Sequence, residues 1–283
     1  MKAASFDYVR PTGLEQALAT VALDGTMALA GGQSLVPSMV RRQLRPARVC
    51  DLNALPEIAG VEVTDAEIVV GSMTRQRDLE LHPVVARVQP VVARAIALIG
   101  FVGTRHRGTV GGSLCFADPC GELPALAALL DARLVVRGAE DERQLTAADF
   151  FATDFATVLR PGELLTEVRF PRQPASRYAA VKLRVGQDRP LGCLVSYASD
   201  ERGVIRDPRV SIFGTSDPGR RVAAAERALA GQLPGAELFA DAAAAATDLE
   251  PLGGAAMSAA YRRRLGRTAI RRALVASMGV DDD

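Results

Sequence analysis

The chain has 283 residues, of which 48% are hydrophobic and 24% are charged, and this length and composition predict a folded globular protein of roughly two domains. Its 34 basic and 33 acidic residues leave a net charge of +1, which argues against a nucleic-acid-binding protein because such proteins carry a large basic excess or a basic stripe. Lysine occurs only at Lys2 and Lys182, which sets Lys182 apart from the other cationic residues.

The first fifty residues predict a small unit of alternating strands and helices. An extended start in "FDYVRP" precedes a helix in "PTGLEQALATVALDG", where Thr12 and Glu15 have the spacing of a capping box and Gly25 ends the helix. A short strand in "TMALAGG" precedes a helix in "SLVPSMVRRQ", with Ser34 as its N-cap and Pro37 in its first turn. The return strand "ARVCDL" completes an α/β unit.

The middle of the chain predicts a hairpin, helices and further strands. The run "GVEVTDAEIVVGSMT" alternates as two strands around a turn, and "HPVVARVQPVVARAIALIG" predicts a helix interrupted at Pro90. After a second glycine-rich stretch, Asp118 and Pro119 predict the N-cap and first position of a helix in "PCGELPALAALLDA". The runs "RLVVRG" and "ELLTEVRFP" predict strands.

From about Ser176 the pattern changes, which predicts a separate C-terminal domain. Three strand-like runs, "RYAAVKLRVG", "LGCLVSYAS" and "VIRDPRVSIFGT", precede helices around residues 221–231, 235–247 and 258–277. The last helix carries six arginines between Arg262 and Arg272. A solvated helical face is the favoured interpretation of these arginines, and contact with a partner subunit or an acidic cofactor edge is the alternative.

Two glycine segments are candidates for a binding site: "LAGGQSLVPSM" at residues 29–39 and "RGTVGGSL" at residues 107–114. Glycine permits positive φ and close approach to the backbone, and consecutive N–H groups exposed by such a turn near a helix N-terminus form an anion-binding concavity. Two such turns would hold a diphosphate from both sides. Neither segment fits G-x-G-x-x-G, and the absence of a Gly-Lys pair excludes a P-loop. The residues alone leave the ligand open, and each segment alone is also compatible with a plain connector.

Four motifs in order extend this interpretation: "AGGQSLVPSM", "RPARVCDLN", "GFVGTRHRGTVGGSLCFADPCGELPALAALLDA" and "LRPGELLTEVRFP". In sequence and spacing they resemble the FAD-binding medium subunit of the molybdenum hydroxylases, a family that includes the carbon monoxide dehydrogenase medium subunit and the flavin domain of xanthine dehydrogenase. The resemblance covers essentially the whole chain. It implies an α+β fold with a two-part FAD-binding region of the PCMH type, namely a small N-terminal α/β subdomain (1–55) and a larger α+β subdomain (56–173). A C-terminal domain (174–283) with a three-stranded antiparallel sheet and a helical bundle would follow.

The resemblance also implies which residues contact FAD. By position, the loops around its pyrophosphate are Ala30, Gly31, Gly32, Gln33, Ser34 and Leu35, and Thr109, Val110, Gly111, Gly112 and Ser113. The family's acidic position falls on Glu122, with Asp118 just before it, and a leucine and a lysine near the ring fall on Leu165 and Lys182.

The chain departs from the family pattern at three places. Gln33 stands where histidine is common, but a neutral amide still hydrogen-bonds phosphate or ribityl groups, so we expect binding to survive. His106 stands where asparagine is frequent and is interpreted as a loop residue, and the segment "VGQDRPLGC" after Lys182 is broken by proline. A cation at Lys182 would favour a reduced anionic flavin, and a solvated surface lysine is the alternative.

The sequence predicts no catalytic residue and no metal ligand of its own. A flavin supplies its own redox chemistry, and Cys50, Cys115, Cys120 and Cys193 form no C-x-x-C pair, so we expect reduced thiols rather than a metal site. No signal peptide and no membrane-spanning apolar run is present in the sequence, and we expect a cytoplasmic location.

The leading hypothesis is therefore an FAD-carrying electron-transfer subunit, that is, a flavoprotein oxidoreductase active with partner subunits. By resemblance, electrons come from a large molybdenum-cofactor subunit through a small [2Fe-2S] subunit, in a heterotrimer or its dimer, and leave through FAD to an external acceptor. One alternative is a self-sufficient flavin-dependent oxidoreductase acting directly on a small substrate. The other is a non-enzymatic assembly subunit.

Overall fold

A computed structural model describes residues 2–153, 155–184, 189–250, 252 and 257–279. The strands in chain order are β1 (Asp7–Val9), β2 (Thr26–Leu29), β3 (Arg48–Asp51), β4 (Val61–Val63), β5 (Glu67–Gly71), β6 (Arg133–Arg137), β7 (Glu142–Thr146), β8 (Phe151–Thr153), β9 (Ala156–Thr157), β10 (Leu164–Pro171), β11 (Arg177–Leu183), β12 (Leu191–Ser199), β13 (Ile205–Phe213) and β14 (Arg220–Arg221). The helices are α1 (Leu14–Val21), α2 (Leu35–Val40), α3 (Gln76–Glu80), α4 (Pro83–Val88), α5 (Pro90–Ala97), α6 (Val102–Arg107), α7 (Val110–Phe116), α8 (Glu122–Leu129), α9 (Ala147–Phe150), α10 (Ala223–Leu229), α11 (Ala236–Ala245) and α12 (Ala259–Met278).

The N-terminal sheet has the order β1-β3-β2 and is parallel, as expected of an α/β unit. The predicted capping box of α1 is wrong. The Thr12 N–H donates to Gln16 Oε1 at 3.0 Å and the Leu14 N–H to Glu57 Oε1 at 2.7 Å, so other side chains satisfy the helix start. The helix ends at Val21, and Gly25 (φ +70°) lies in the turn before β2.

The central sheet is antiparallel with the order β4-β5-β10-β6-β7. The predicted hairpin is confirmed as β4 and β5, and the predicted interruption at Pro90 is confirmed because Pro90 begins α5. Proline removes one backbone donor and is tolerated in the first helical turn. The apolar faces of this sheet, α4, α5, α7 and α8 enclose the main core.

Two helix starts differ from the sequence prediction. The second glycine segment is not a turn, because Gly111 and Gly112 lie in the first turn of α7 and Thr109 is its N-cap. The predicted start of α8 at Asp118 is also wrong. The Asp118 carboxylate instead accepts a hydrogen bond from the Cys120 N–H at 2.9 Å, and the helix begins at Glu122. Aspartate readily forms such a local turn with its own backbone.

The C-terminal sheet has the order β11-β12-β13-β14 and is antiparallel. Its first three strands and the three helices that follow were predicted, whereas the two-residue strand β14 was not. The helix α12 begins after Ser258, whose hydroxyl caps the Tyr261 N–H at 3.3 Å. It packs on β11 and β12, and α10 and α11 complete this second core.

The helix α8 joins the main core to the C-terminal sheet. Every residue from Glu122 to Leu129 is buried, and the helix contacts α5 and α7 on one side and β12 and β13 on the other. An all-round apolar surface is expected of a helix buried between two layers. Among the described helices, none is long and apolar enough to cross a membrane.

Candidate functional site

The first glycine segment connects β2 to α2 and leaves several backbone donors free. Gly32 has φ +71°, a conformation that favours glycine. Within the described residues, the N–H groups of Gly31, Gly32, Gln33 and Ser34 donate to no acceptor. Consecutive free N–H groups before a helix form an anion-binding concavity, so this segment has the donors that the sequence predicted.

The side chains of this segment add polar groups. Gln33 is exposed, and its Nε2 donates to the Gly31 carbonyl at 3.1 Å, which leaves its side-chain oxygen available. Ser34 occupies the predicted N-cap position of α2, but its hydroxyl makes no capping bond. Both groups can therefore turn toward a ligand.

The first N–H groups of the second glycine segment already have acceptors within the protein. The N–H groups of Val110, Gly111 and Gly112 donate to the Thr74 carbonyl (3.0 Å), the Ser72 carbonyl (2.8 Å) and Thr109 Oγ1 (3.0 Å). The expectation that this segment is a second turn with exposed N–H groups is therefore wrong. Gly111 is buried instead, and a Cβ there would lie 2.5 Å from the Ser72 Cβ, so this helix start packs directly on Ser72.

The structure brings the two segments into direct contact, as their pairing predicted. A Cβ on Gly31 would lie 2.2 Å from the Arg107 carbonyl oxygen, and one on Gly112 would lie 3.3 Å from the Ala30 Cβ. Glycine is required at position 31 because the backbone of the second segment fills the space of a side chain.

Two polar residues that the sequence reasoning missed connect these segments. Asn53 Nδ2 donates to the Ala30 carbonyl at 2.9 Å, and Arg75 donates to Asn53 Oδ1 at 2.7 Å and to the Arg107 carbonyl at 2.5 Å. Asn53 is the last residue of the motif "RPARVCDLN" and follows a predicted strand, a position from which polar residues often reach a site. Arg75 had no such signal.

Asp51 supports Asn53 from the end of β3. Its carboxylate accepts from the Asn53 N–H at 3.0 Å and from the Tyr8 hydroxyl. Burial alone would raise the pKa of Asp51, but the hydrogen bonds from Tyr8 and Asn53 outweigh it and hold the pKa below its usual range. The bond to Asp51 also raises the pKa of Tyr8.

Glu122 and Lys182 form a buried ion pair. Lys182 Nζ contacts Glu122 Oε1 and donates to the Leu98 carbonyl at 3.0 Å, and the two side chains are 11% and 5% exposed, respectively. The alternative of a solvated Lys182 is therefore wrong. Glu122 is the first residue of α8, where a carboxylate also interacts favourably with the helix dipole.

The remaining predicted residues lie in different surroundings. Leu165 is 4% exposed and belongs to the same apolar core as Val110 and Leu114 of α7. Asp118 holds the turn before α8. His106 is exposed on α6 and makes no hydrogen bond within the described residues.

The four cysteines are free thiols, as predicted, and three of them are buried. Burial raises the pKa of Cys50 to about 11 and the pKa of Cys115 and Cys120 to about 12, and it raises the pKa of Cys193 further. Thiols in such surroundings are chemically inert.

Two family models match the sequence of this chain. The "FAD binding domain in molybdopterin dehydrogenase" matches residues 4–173, which is more than half of the chain. The chain belongs to the FAD-binding subunit family of the molybdenum hydroxylases. The "CO dehydrogenase flavoprotein C-terminal domain" matches residues 177–277 of this molybdenum hydroxylase flavoprotein.

Relatives cover nearly the whole flavoprotein. The 6-hydroxypseudooxynicotine dehydrogenase complex subunit alpha of Paenarthrobacter nicotinovorans is 34% identical over 284 residues, covering 98% of this chain and 96% of that protein. The caffeine dehydrogenase subunit beta of Pseudomonas sp. (strain CBB1) is 34% identical over 247 residues, with 85% and 83% covered. A chain of reconstituted CO dehydrogenase from Oligotropha carboxidovorans has a TM-score of 0.92 at 28% identity, with 98% of this chain and 99% of that chain covered.

Membership in this family confirms three predictions. The fold class is α+β with an FAD-binding domain and a C-terminal domain, the cofactor is FAD, and the chain is a flavoprotein oxidoreductase subunit. The individual residues predicted to contact FAD stay predictions.

Proposed function

We propose that this chain is the electron-transfer subunit of a multi-subunit molybdenum-containing hydroxylase or dehydrogenase. It would receive electrons from a partner [2Fe-2S] subunit and pass them through FAD to an external acceptor. The observation that carries the proposal is the first glycine segment, whose four free N–H groups meet the second segment across Gly31.

The residues present fit the diphosphate of FAD. Free backbone donors from Gly31 to Ser34, together with the unpartnered Ser34 hydroxyl, suit an anion with several acceptor oxygens. A side chain at Gly32 would meet Val36 and Leu29 at 3.2 Å and 3.4 Å. We assign the diphosphate to Ala30–Leu35, with Thr109–Ser113 forming the opposing wall.

The isoalloxazine end is assigned to the side of Glu122 and Lys182. FAD, when bound, supplies the redox chemistry, and the chain has to bind it, orient it and set its electrostatic surroundings. Because Glu122 balances the charge of Lys182 in the structure, the pair offers both a donor and an acceptor rather than a bare cation. Leu165 would act as part of the apolar support, and Asp118 would fix the turn before Glu122.

The proposal places the other redox groups on partners. The relatives are described as a complex subunit alpha and a subunit beta, which supports an assembly with a large molybdenum-cofactor subunit and a small [2Fe-2S] subunit, as a heterotrimer or its dimer. The free cysteines support a cytoplasmic location. We also propose the three-part division at 1–55, 56–173 and 174–283.

Reconstitution and co-purification test the proposal. The expressed chain, incubated with FAD and desalted, should retain one FAD per chain. Gly32→Val and Gly112→Val should each abolish retention, because Gly32 has a positive φ and a Cβ on Gly112 would approach Thr109 Oγ1 at 2.7 Å.

A tagged chain recovered from its native host should bring two partner proteins with it, together with molybdenum and iron. Failure of stoichiometric FAD binding after reconstitution would refute the assignment, and recovery of the tagged chain from its host with flavin but without partner proteins would favour a self-sufficient enzyme.

A further inference from the structure

Arg75 is held against the second glycine segment by its backbone. Residues 74–76 and 108–110 pair as an antiparallel bridge, in which the Gln76 N–H donates to the Gly108 carbonyl at 2.9 Å and the Val110 N–H to the Thr74 carbonyl at 3.0 Å. The position of the Arg75 Cα is therefore fixed relative to the start of α7.

The Arg75 side chain then spans two acceptors. Its Nη1 donates to the Arg107 carbonyl at 2.5 Å and its Nη2 to Asn53 Oδ1 at 2.7 Å. A planar guanidinium with donors on two edges fixes both distance and direction between its acceptors. Arg75 thus couples the second segment to a residue that follows the N-terminal sheet.

Asn53 completes the connection to the first segment. Its Nδ2 donates to the Ala30 carbonyl at 2.9 Å and to Asp51 Oδ1 at 2.5 Å, while its own N–H donates to the same carboxylate oxygen at 3.0 Å. Since Asp51 ends β3, the amide of Asn53 is anchored to the N-terminal sheet and cannot rotate away from Ala30 without losing these bonds.

No hydrogen bond joins residues 30–34 directly to residues 107–113 within the described part of the chain. The direct contacts are van der Waals packing at Gly31 and Ala30. Packing sets how close the two segments come, but unlike a hydrogen bond it has no preferred direction that would fix their register. The polar connection between the two walls of the cofactor site runs through Arg75 and Asn53.

We propose that Arg75 and Asn53 are positioning residues that set the spacing and register of the two glycine segments around the FAD diphosphate. This inference rests on the proposed FAD site. The two residues act through the Ala30 and Arg107 carbonyls rather than by touching the cofactor. Removing either residue should leave the separate segments folded and make FAD binding weaker.

The surroundings of Arg75 allow a direct chemical test. Arg75 and Asn53 line an open cleft of about 490 Å³ whose floor includes Leu52, Leu55 and Met73. A guanidinium ion from solution can therefore enter the space that Arg75→Ala vacates. Arg172 is the matched control, because its guanidinium also donates to two oxygen acceptors, the backbone carbonyls of Thr64 and Asp65 at 3.3 Å and 3.4 Å.

The experiment titrates FAD into the apo chain of each variant and follows flavin fluorescence, with thermal unfolding measured on the same samples. Arg75→Ala and Asn53→Ala should each raise the Kd for FAD about tenfold to hundredfold, as expected for the loss of hydrogen bonds that involve the charged groups of Arg75 and Asp51. The Kd of the double variant should be about that of the weaker-binding single variant, because the two residues act in one connection. Guanidinium should restore part of the affinity to Arg75→Ala, and Arg172→Ala should bind FAD as the wild type does.

The outcomes separate this inference from the proposed function. If the wild-type chain fails to bind FAD, the proposed function falls and the inference falls with it. If the wild type binds FAD and the Kd of Arg75→Ala stays within twofold of it, only the positioning role is overturned. If Arg75→Ala fails to fold, Arg75→Lys and Asn53→Ala decide: Arg75→Lys keeps part of the connection and should bind FAD with intermediate affinity, whereas Asn53→Ala should still raise the Kd about tenfold to hundredfold. A loss of the salt dependence of the Kd in Arg75→Ala would assign Arg75 to direct phosphate contact and overturn the positioning role.

Discussion

Gly31 lies against the backbone of Arg107, although Gly31 follows strand β2 of the N-terminal sheet and Arg107 is the last residue of helix α6. A Cβ at position 31 would come within 2.2 Å of the Arg107 carbonyl oxygen and 2.7 Å of the Gly108 Cα. Real side chains do not tolerate such distances to backbone atoms, so any substitution must push the two glycine segments apart. The contact at Gly31 couples the two walls of the proposed FAD site.

Gly31→Ala should therefore destabilise the chain and impair cofactor binding. Overpacking of this kind costs about 1–3 kcal/mol, and we expect the apo chain to lose this amount in urea unfolding while FAD retention falls sharply. Gly103→Ala is the matched control, because Gly103 is helical and a Cβ there meets nothing within 4 Å. Its stability should change by no more than about 1 kcal/mol. Equal FAD retention by both variants would contradict the packing argument.

The sequence could predict the elements that depend on local pattern. The alternation in β4 and β5, the strand-like runs of β6 and β10 and the proline break between α4 and α5 are local signals, and all of these elements were found. The helix α7 was missed because two adjacent glycines disfavour a short helix. It forms because its first N–H groups bond to Ser72, Thr74 and the Thr109 side chain, which are tertiary or capping partners.

The candidate site was predictable only in part, for a related reason. The glycine segments are contiguous in sequence and could be recognised, whereas the connection through Asn53 and Arg75 joins residues separated by 22 and 32 positions. Such contacts depend on how the N-terminal and central sheets pack. Likewise, Lys182 could be singled out as a rare lysine, but its pairing with Glu122, 60 positions away, needed the fold.

The free thiols should resist alkylation in the folded chain. A pKa of about 11 at Cys50 leaves roughly one thiol in a thousand ionised at pH 8, and only the thiolate reacts. Iodoacetamide at this pH should label none of the four cysteines in the native chain and all four after unfolding in guanidinium, as read by mass spectrometry. The half-buried Cys115 should be the first to react as the chain opens. Rapid native labelling at any one cysteine would contradict this burial.

Removing one partner of the Glu122–Lys182 pair should destabilise the chain strongly, whereas replacing both partners with apolar residues should destabilise it much less. Removing one partner leaves an uncompensated buried charge, so Glu122→Gln and Lys182→Met should each destabilise the apo chain by about 3–5 kcal/mol in urea unfolding. The double variant Glu122→Leu/Lys182→Met should regain most of this loss, because two apolar side chains leave no charge behind.

An exposed ion pair provides the control for that prediction. Arg137 and Glu142 lie 3.4 Å apart with side chains 48% and 59% exposed, and Glu142→Gln should cost less than about 1 kcal/mol. Additive losses in the double variant, or a loss at Glu122 no larger than that at Glu142, would show that the Lys182 charge is solvated. FAD retention should fall in the double variant even where its stability recovers, since the proposed contact groups are gone.

Asp51 should make part of the chain's unfolding free energy vary with pH in the acid range. Its folded-state pKa lies below the usual value, so its contribution is fully present above the unfolded pKa of about 3.9 and is lost as the pH falls through the folded-state pKa. The difference in unfolding free energy between the wild type and Asp51→Asn should therefore be constant above about pH 5 and shrink below about pH 4. Glu80 and Glu163, whose pKa values are also lowered, contribute equally to both proteins, so the difference isolates Asp51. Urea midpoints across this range measure it, and a difference that does not vary with pH would mean that Asp51 is not held as a carboxylate by Tyr8 and Asn53.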